Sequence, residues 1–329
     1  MSQAISSEAA GLSDWLAAAG FAADRIEPLQ GDVSLRRYAR IAGLAPGDTA
    51  TAILATYPPD IRSTCGRFLR TSGLLEEAGV PVPRVLASSC GEGWMLVEDL
   101  GLETLAEWGR GRPWEEVGPW FERALDLADR ISRIPVASLE GLNPTLDSEL
   151  LSKELAQTWD LFLEPNGLTG DAPALRDALD AICANLGAET PVACHRDFMV
   201  RNLMFAGGDL VVLDHQDLRL GPPLYDLASL LNDTIFPPPT VEAGLLAGLG
   251  SAEDRVRYHR AAAQRTLKAV GTYTSFARRG ADRHLPLVPP TLAQCLQHLA
   301  RVPESAAVAR DLTAVWGRVW SQVRSGGIC

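Results

Sequence analysis

The stretch His195-Arg196-Asp197-Phe198-Met199-Val200-Arg201-Asn202, followed by Leu210-Val211-Val212-Leu213-Asp214, decides the fold. It sets a carboxylate at Asp197, a carboxamide five positions on at Asn202, and a second carboxylate twelve beyond that at Asp214. Phosphoryl transfer from a nucleotide uses those three groups. One carboxylate orients the accepting hydroxyl and takes its proton, while the amide and the other carboxylate hold Mg²⁺ on the ATP phosphates. The spacing fits H-R-D-x-x-x-x-N literally, and a short apolar run ending in Asp is how a strand delivers a ligand to its exposed end. A turn whose acidic groups merely cap local backbone would not require the second Asp behind a strand.

The segment after Asp214 narrows the acceptor. The chain reads Asp214-His215-Gln216-Asp217-Leu218-Arg219-Leu220-Gly221-Pro222-Pro223-Leu224-Tyr225-Asp226, with only eleven residues between Asp214 and Asp226. A protein kinase needs Asp-Phe-Gly and a long activation segment to build a platform for an extended peptide. The acceptor expected here is a small molecule.

These residues, with the block Tyr225-Asp226-Leu227-Ala228-Ser229-Leu230-Leu231, resemble the aminoglycoside-phosphotransferase-like superfamily of small-molecule kinases. Three segments look most like its anomeric sugar kinases of bacterial cell-wall recycling: Gly31 to Tyr38, the catalytic block with Leu213-Asp214-His215-Gln216-Asp217, and Arg265 to Gly271. The resemblance spans roughly residues 12 to 300. It implies an ATP- and Mg²⁺-dependent kinase that phosphorylates the C1 hydroxyl of N-acetylmuramate or N-acetylglucosamine. A sugar-1-phosphate nucleotidyltransferase would be a possible downstream partner. Two readings compete with it: a relative acting on an aminoglycoside, choline or homoserine, and a catalytically silent nucleotide-binding module.

Composition sets outer bounds. At 329 residues the chain is long enough for two domains or lobes, and a 47% hydrophobic content supplies a sizeable core. No apolar run reaches the length of a membrane span, and the N-terminus lacks the basic start and apolar stretch of a secretory signal, so the expectation is a cytoplasmic protein. A net charge of −11 argues against a general partner among nucleic acids or anionic membranes, without identifying a substrate. Cysteines 65, 90, 183, 194, 295 and 329 form no C-x-x-C pair. They read mostly as small buried hydrophobes in a reducing compartment, with Cys329 as a tail thiol.

Periodicity predicts an α+β, bilobal, protein-kinase-like fold. Residues 1–100 form a small nucleotide-binding lobe with a helix over 8–19, strands over 25–29, 35–42 and 50–57, a helix to about Ala78, and a hairpin of 84–89 with 94–100 around Gly91-Glu92-Gly93. Residues 101–329 form a helical lobe, with helices over 114–134, 148–163, 173–186, 252–278, 290–301 and 306–323. Its only strand-like pieces are 203–205 and 210–213, a hairpin around Ala206-Gly207-Gly208-Asp209.

On the nucleotide side, Gly31, Asp32, Val33 and Ser34 form the one turn placed to lie over a triphosphate with backbone N–H groups facing its oxygens. The third strand, Ala50 to Tyr57, has no Lys for the phosphates, a departure that the anomeric sugar kinases share. Arg36 or Arg37 is the nearest replacement cation, since strand alternation sends one of them inward. Arg37 joins the nucleotide set, and the resemblance adds Glu98, Asp99 and Leu100, whose backbone would face the adenine edge.

For the chemical step, Asp197 is the expected base or hydroxyl-orienting group, and Asn202 with Asp214 the Mg²⁺ ligands. His195 braces the loop, and Asp226 accepts hydrogen bonds from its backbone. A zinc set from Cys194, His195 and His215 lacks ordinary ligand spacing and is set aside. Arg201, Gln216 and Asp217 are the expected sugar contacts, while Lys268 reads as a solvated helix position.

Overall fold

The computed structural model describes residues 11–29, 35–43, 51–166, 172–310 and 312–313. Gly31, Asp32, Val33 and Ser34 lie outside the described residues, as do the tail Cys329 and most of the helix expected over 306–323. The fold is α+β with two lobes. By contact the chain forms two compact units: Met1–Glu103 with Met204–Gln216, and Thr104–Leu203 with Asp217–Cys329.

The first unit is built on a five-stranded antiparallel sheet in the order β1-β2-β3-β5-β4: β1 Phe21–Leu29, β2 Arg37–Gly43, β3 Thr51–Thr56, β4 Val85–Ser89 and β5 Trp94–Glu98. Alternation along the central strands gives the sheet two apolar faces. On one, Ile41, Ala52, Leu54 and Leu96 pack against Leu16 of a first helix, α1, over residues 11–18. On the other, Ala55 and Met95 pack against Cys65 and Phe68 of α2, Ser63–Glu77. Gly93 makes the β4–β5 turn possible: its φ is +81°, and a Cβ there would lie 2.3 Å from the Tyr57 carbonyl oxygen.

Two features of this unit depart from the sequence expectations. Cys65 and Cys90 are joined in a disulfide, so the reading of them as buried thiols is corrected. Packing of α2 on the sheet sets the start of that helix beside the β4–β5 turn, a proximity that residue spacing alone does not reveal. The hairpin of β7 Leu203–Ala206 and β8 Asp209–Val212 belongs for the most part to this unit, although its position in the chain had assigned it to the helical lobe. The Val212 N–H donates to the Pro81 carbonyl at 2.8 Å and ties the hairpin there.

The second unit is helical: α3 Leu105–Trp108, α4 Trp114–Ser132, α5 Val136–Leu139, α6 Ser148–Thr158, α7 Ala172–Gly187, α8 Tyr225–Leu231, α9 Pro239–Ala247, α10 Ala252–Arg278 and α11 Val288–Leu299. At its centre is α10, which runs 27 residues from the Ser251 cap and is buried along its middle, where Ala261, Ala262, Ala263, Leu267 and Val270 sit beside the polar Gln264, Arg265 and Thr266. The helix expected over 148–163 ends at Thr158 and continues as a wider π-type turn, Trp159–Leu163. The expectation that only one hairpin interrupts the helices is also corrected. β6 Val192–Cys194 pairs antiparallel with β9 Arg219–Gly221, bringing the start of the catalytic loop beside the segment after Asp217. Among the described residues, no helix is long and apolar enough to cross a membrane.

Candidate active site

In the second unit, β6 runs straight into the loop that carries His195, Arg196 and Asp197. Arg196 has φ 77°, a left-handed conformation that a non-glycine residue adopts only when its surroundings enforce it. Those surroundings are specific. The buried Asp226 carboxylate accepts from the His195 N–H at 2.6 Å, the Arg196 N–H at 2.9 Å and the Cys194 thiol at 3.2 Å. Asp226 thus sits where it fixes the loop backbone, from the first turn of α8. The Arg196 guanidinium is held by Glu154 of α6, with Nη2 at 2.6 Å and Nε at 3.0 Å from Oε1. His195 itself is fully buried, its ring edge-on to Phe198.

Asp197 is about a quarter exposed, in the midst of cations. Arg265 Nη2 lies 3.4 Å and Lys268 Nζ 3.7 Å from Oδ1, while Arg196 Nη1 is 3.9 Å from Oδ2. Burial by itself would raise the carboxyl, but Lys268, Arg265 and Arg196 together outweigh it and hold the group well below the usual carboxylate range. An ionised Asp197 is therefore the resting state. Lys268 is not a solvated helix position: its side chain is 11% exposed, and Nζ pairs with Glu154 Oε2 at 3.2 Å. Sequence reasoning missed Arg265, Lys268 and Glu154 as partners of Asp197. The resemblance had marked the segment Arg265 to Gly271 without giving its cations a partner, and their three-residue spacing puts both on one helix face.

Asn202 donates from Nδ2 to the Asp197 carbonyl at 2.8 Å, leaving its amide oxygen as a hard donor. Arg201, expected at the acceptor, is committed to Asp233 through both Nη2 and Nε, and to the Tyr273 hydroxyl at 2.9 Å. Asp217 accepts from Arg219 Nη2 at 3.2 Å and Arg196 Nη1 at 3.5 Å.

In the first unit, Asp214 follows β8 with φ 58°, a second enforced left-handed residue. Its Oδ1 accepts from Arg36 Nη2 at 2.7 Å and Gln216 Nε2 at 2.9 Å, and Arg36 Nη1 reaches Gln216 Oε1 at 2.9 Å. Of the two candidate arginines, Arg36 is the inward one, while Arg37 is exposed. His215 is buried behind Asp214, with Nδ1 2.8 Å from the Thr71 hydroxyl and its ring against Phe68. In the segment after β5, Asp99 is bound by Arg40 at 2.5 and 3.0 Å and accepts from the Gly101 N–H, whereas Glu98 pairs with Arg84. Leu100 follows them as a partly buried residue.

Asn202 in the second unit offers an amide oxygen, and Asp214 in the first a half-exposed carboxylate; each is the kind of oxygen donor that Mg²⁺ prefers. Among the described residues, no group of three or more His, Cys, Asp or Glu gathers around a common point.

Residues 25–259 match the phosphotransferase enzyme family. The chain belongs to that family. It is a small-molecule kinase. It is 32% identical over 307 residues to an N-acetylmuramate/N-acetylglucosamine kinase of Pseudomonas aeruginosa, covering 88% of each chain. With the enzyme of the same name from Neisseria meningitidis serogroup B it shares 30% identity over 305 residues, 86% of this chain and 87% of that one. In fold it is similar to a choline kinase from Streptococcus pneumoniae, with TM-score 0.56 and 15% identity over 83% of this chain and 93% of that one. An aminoglycoside phosphotransferase solved with ADP gives TM-score 0.55 and 16% identity over 82% and 92%.

Proposed function

We propose that this kinase transfers the γ-phosphoryl group of ATP to the anomeric C1 hydroxyl of N-acetylmuramate, N-acetylglucosamine, or both. The observation that carries the reading is Asp197: a carboxylate kept ionised by three cations, with one oxygen turned away from two of them, in a chain whose relatives bear the name of amino-sugar kinases.

Asp197 accepts a hydrogen bond from the C1 hydroxyl and orients its lone pair toward the γ-phosphorus. The new C1–O–P bond forms as the bond to the β-phosphate oxygen breaks, ADP leaves, and the hydroxyl proton passes to Asp197 or the departing phosphate. A strong base is not needed, because an anomeric hydroxyl is more acidic than an ordinary alcohol and phosphoryl transfer is mainly positioning. Asn202 and Asp214 would hold Mg²⁺, which when bound would neutralise charge on the phosphates. Gly31, Asp32, Val33, Ser34, Arg37 and the backbone of Glu98, Asp99 and Leu100 receive the nucleotide, with Arg36 replacing the cation that β3 lacks. Gln216 and Asp217 contact the sugar.

The charge around Asp197 bears on the acceptor. Four cations (Arg196, Arg219, Arg265, Lys268) face three carboxylates (Glu154, Asp197, Asp217), a setting that favours a neutral or anionic sugar over a polycation such as an aminoglycoside. The reaction draws on cytoplasmic ATP, and its sugar 1-phosphate is the kind of product a nucleotidyltransferase consumes.

Purified protein with ATP and Mg²⁺ should release ADP with N-acetylmuramate or N-acetylglucosamine and form an acid-labile phosphate. Turnover only with aminoglycosides, choline or homoserine would overturn the substrate reading. Asp197→Ala should lose roughly 10²- to 10⁴-fold in kcat while still binding ATP. A near-native rate in that variant would remove Asp197 from the chemical step.

A further inference from the structure

Two cations outside the H-R-D-x-x-x-x-N block lie against Asp197 from much further along the chain. Arg265 and Lys268 stand three residues apart on α10, on one face of the helix. Both approach the same oxygen, Oδ1, at 3.4 and 3.7 Å, whereas Arg196 Nη1 lies 3.9 Å from Oδ2. Their side chains are 8% and 11% exposed against 26% for Asp197, and Lys268 Nζ is sealed from solvent. Lys268 Nζ therefore meets the acceptor only through Asp197.

The arrangement is costly as a packing device. An ammonium buried beside two carboxylates loses its hydration, and apolar side chains of similar size commonly serve stability as well or better. Lys268 has three N–H groups, and the ionic partners it has among the described residues are Glu154 Oε2 at 3.2 Å and Asp197 Oδ1. Glu154 is bridged in turn: Oε1 takes Arg196 and Oε2 takes Lys268, which couples the loop to α10 through α6.

We propose that Lys268 and Arg265 are positioning residues that grip Oδ1 of Asp197 and so present Oδ2 to the acceptor hydroxyl, with Glu154 holding Lys268 in register. This rests on Asp197 being the acceptor-side carboxylate. With two cations on one oxygen, the carboxylate plane cannot turn freely, and a near-attack geometry of the hydroxyl is set before substrate arrives. A group acting this way changes the chemical step and leaves ground-state binding alone.

The test is steady-state kinetics of Lys268→Met, Lys268→Arg and Arg265→Lys, each in the native and the Asp197→Asn background, with thermal midpoints and ATP affinity recorded alongside. Lys268→Met should lower kcat about 100-fold, the scale of a misplaced reacting group, with KM for sugar and for ATP within about threefold. Lys268→Arg should recover about tenfold of that loss, because charge returns to Oδ1. In the Asp197→Asn background Lys268→Met should cost less than about threefold more, since a group acting through the carboxylate has nothing left to act on. A loss confined to the sugar KM, additive losses in the double variant, or an unchanged kcat each overturns the assignment. Should Lys268→Met fail to fold, Arg265→Lys serves in the same cycle: about a tenfold loss in kcat is expected, absent in the Asp197→Asn background, and an unchanged rate overturns the proposal. The wild-type rate on amino sugars tests the substrate reading. The variant-to-wild-type ratio, on whichever alcohol is turned over, tests this one.

Discussion

Asp226 illustrates how one side chain holds a strained loop. Its two oxygens satisfy two successive backbone N–H groups, and the second belongs to Arg196, whose left-handed φ only such an over-determined setting maintains. Asp226→Asn keeps the shape but replaces one acceptor oxygen with a donor facing an N–H. The expected outcome is a loss of about 1–3 kcal/mol in unfolding free energy, read from denaturant curves, together with reduced kcat. Much of this scale was legible in the sequence, because Asp197, Asn202, Asp214 and Asp226 sit at fixed short spacings within one strand-and-loop segment. The contacts of Lys268, Arg265 and Glu154 with Asp197 were not, although the segment Arg265 to Gly271 had been marked by resemblance. They converge from α6 and α10, more than a hundred residues apart for Glu154 and Lys268, and charged residues on a long helix carry no mark of the partner they will meet.

The crossing of α6 and α10 brings those residues together. Thr158 on α6 donates to the Leu267 carbonyl at 2.9 Å, and a Cβ on Gly271 would lie 2.3 Å from the Thr158 hydroxyl and 2.7 Å from its Cα. Only glycine lets the helices approach this closely. Glu154 lies one turn before Thr158, and Lys268 one turn before Gly271. Gly271→Ala should therefore push the pair apart, lowering stability by about 1–3 kcal/mol as overpacking does, and lowering kcat as well. Thermal melts and turnover should fall together, whereas an exposed substitution such as Gly66→Ala, with open space around its Cβ, should leave turnover untouched. Elements were legible where length and punctuation favoured them. Turn residues separated the five sheet strands, and the run from Ala252 to Arg278 is long and well capped. β6 and β9 are three residues each, too short for alternation to register, and α9 opens behind Pro237-Pro238 and reads as loop.

At the scale of the molecule, acid sensitivity arises from a buried histidine pair remote from the catalytic loop in sequence. His259 Nδ1 and His298 Nδ1 are 3.0 Å apart, and His298 Nε2 is 2.7 Å from the Asn232 amide oxygen. That oxygen only accepts, so Nε2 carries the hydrogen, and His298 Nδ1 must accept from His259. Burial pushes His259 down to about 4 and His298 to about 3, aided by Arg301 and, for His298, by its neighbour. The unfolded chain, with ordinary histidines near 6.5, binds protons first as pH falls. Stability contributed by the neutral pair is complete above about 6.5 and is lost on descending toward 4 and 3. The thermal midpoint should drop across that window, and His298→Gln should flatten the drop while lowering the midpoint at neutral pH. The Cys65–Cys90 bond acts on the first unit in another way. By closing a 25-residue span it restricts the unfolded chain, worth roughly 3–4 kcal/mol on loop-closure grounds. A preparation from a reducing host and one oxidised afterwards should consequently be two species of a single polypeptide. Iodoacetamide would tell them apart by whether Cys90 takes the label without prior reductant, and the redox history of a sample becomes a variable to record beside its activity.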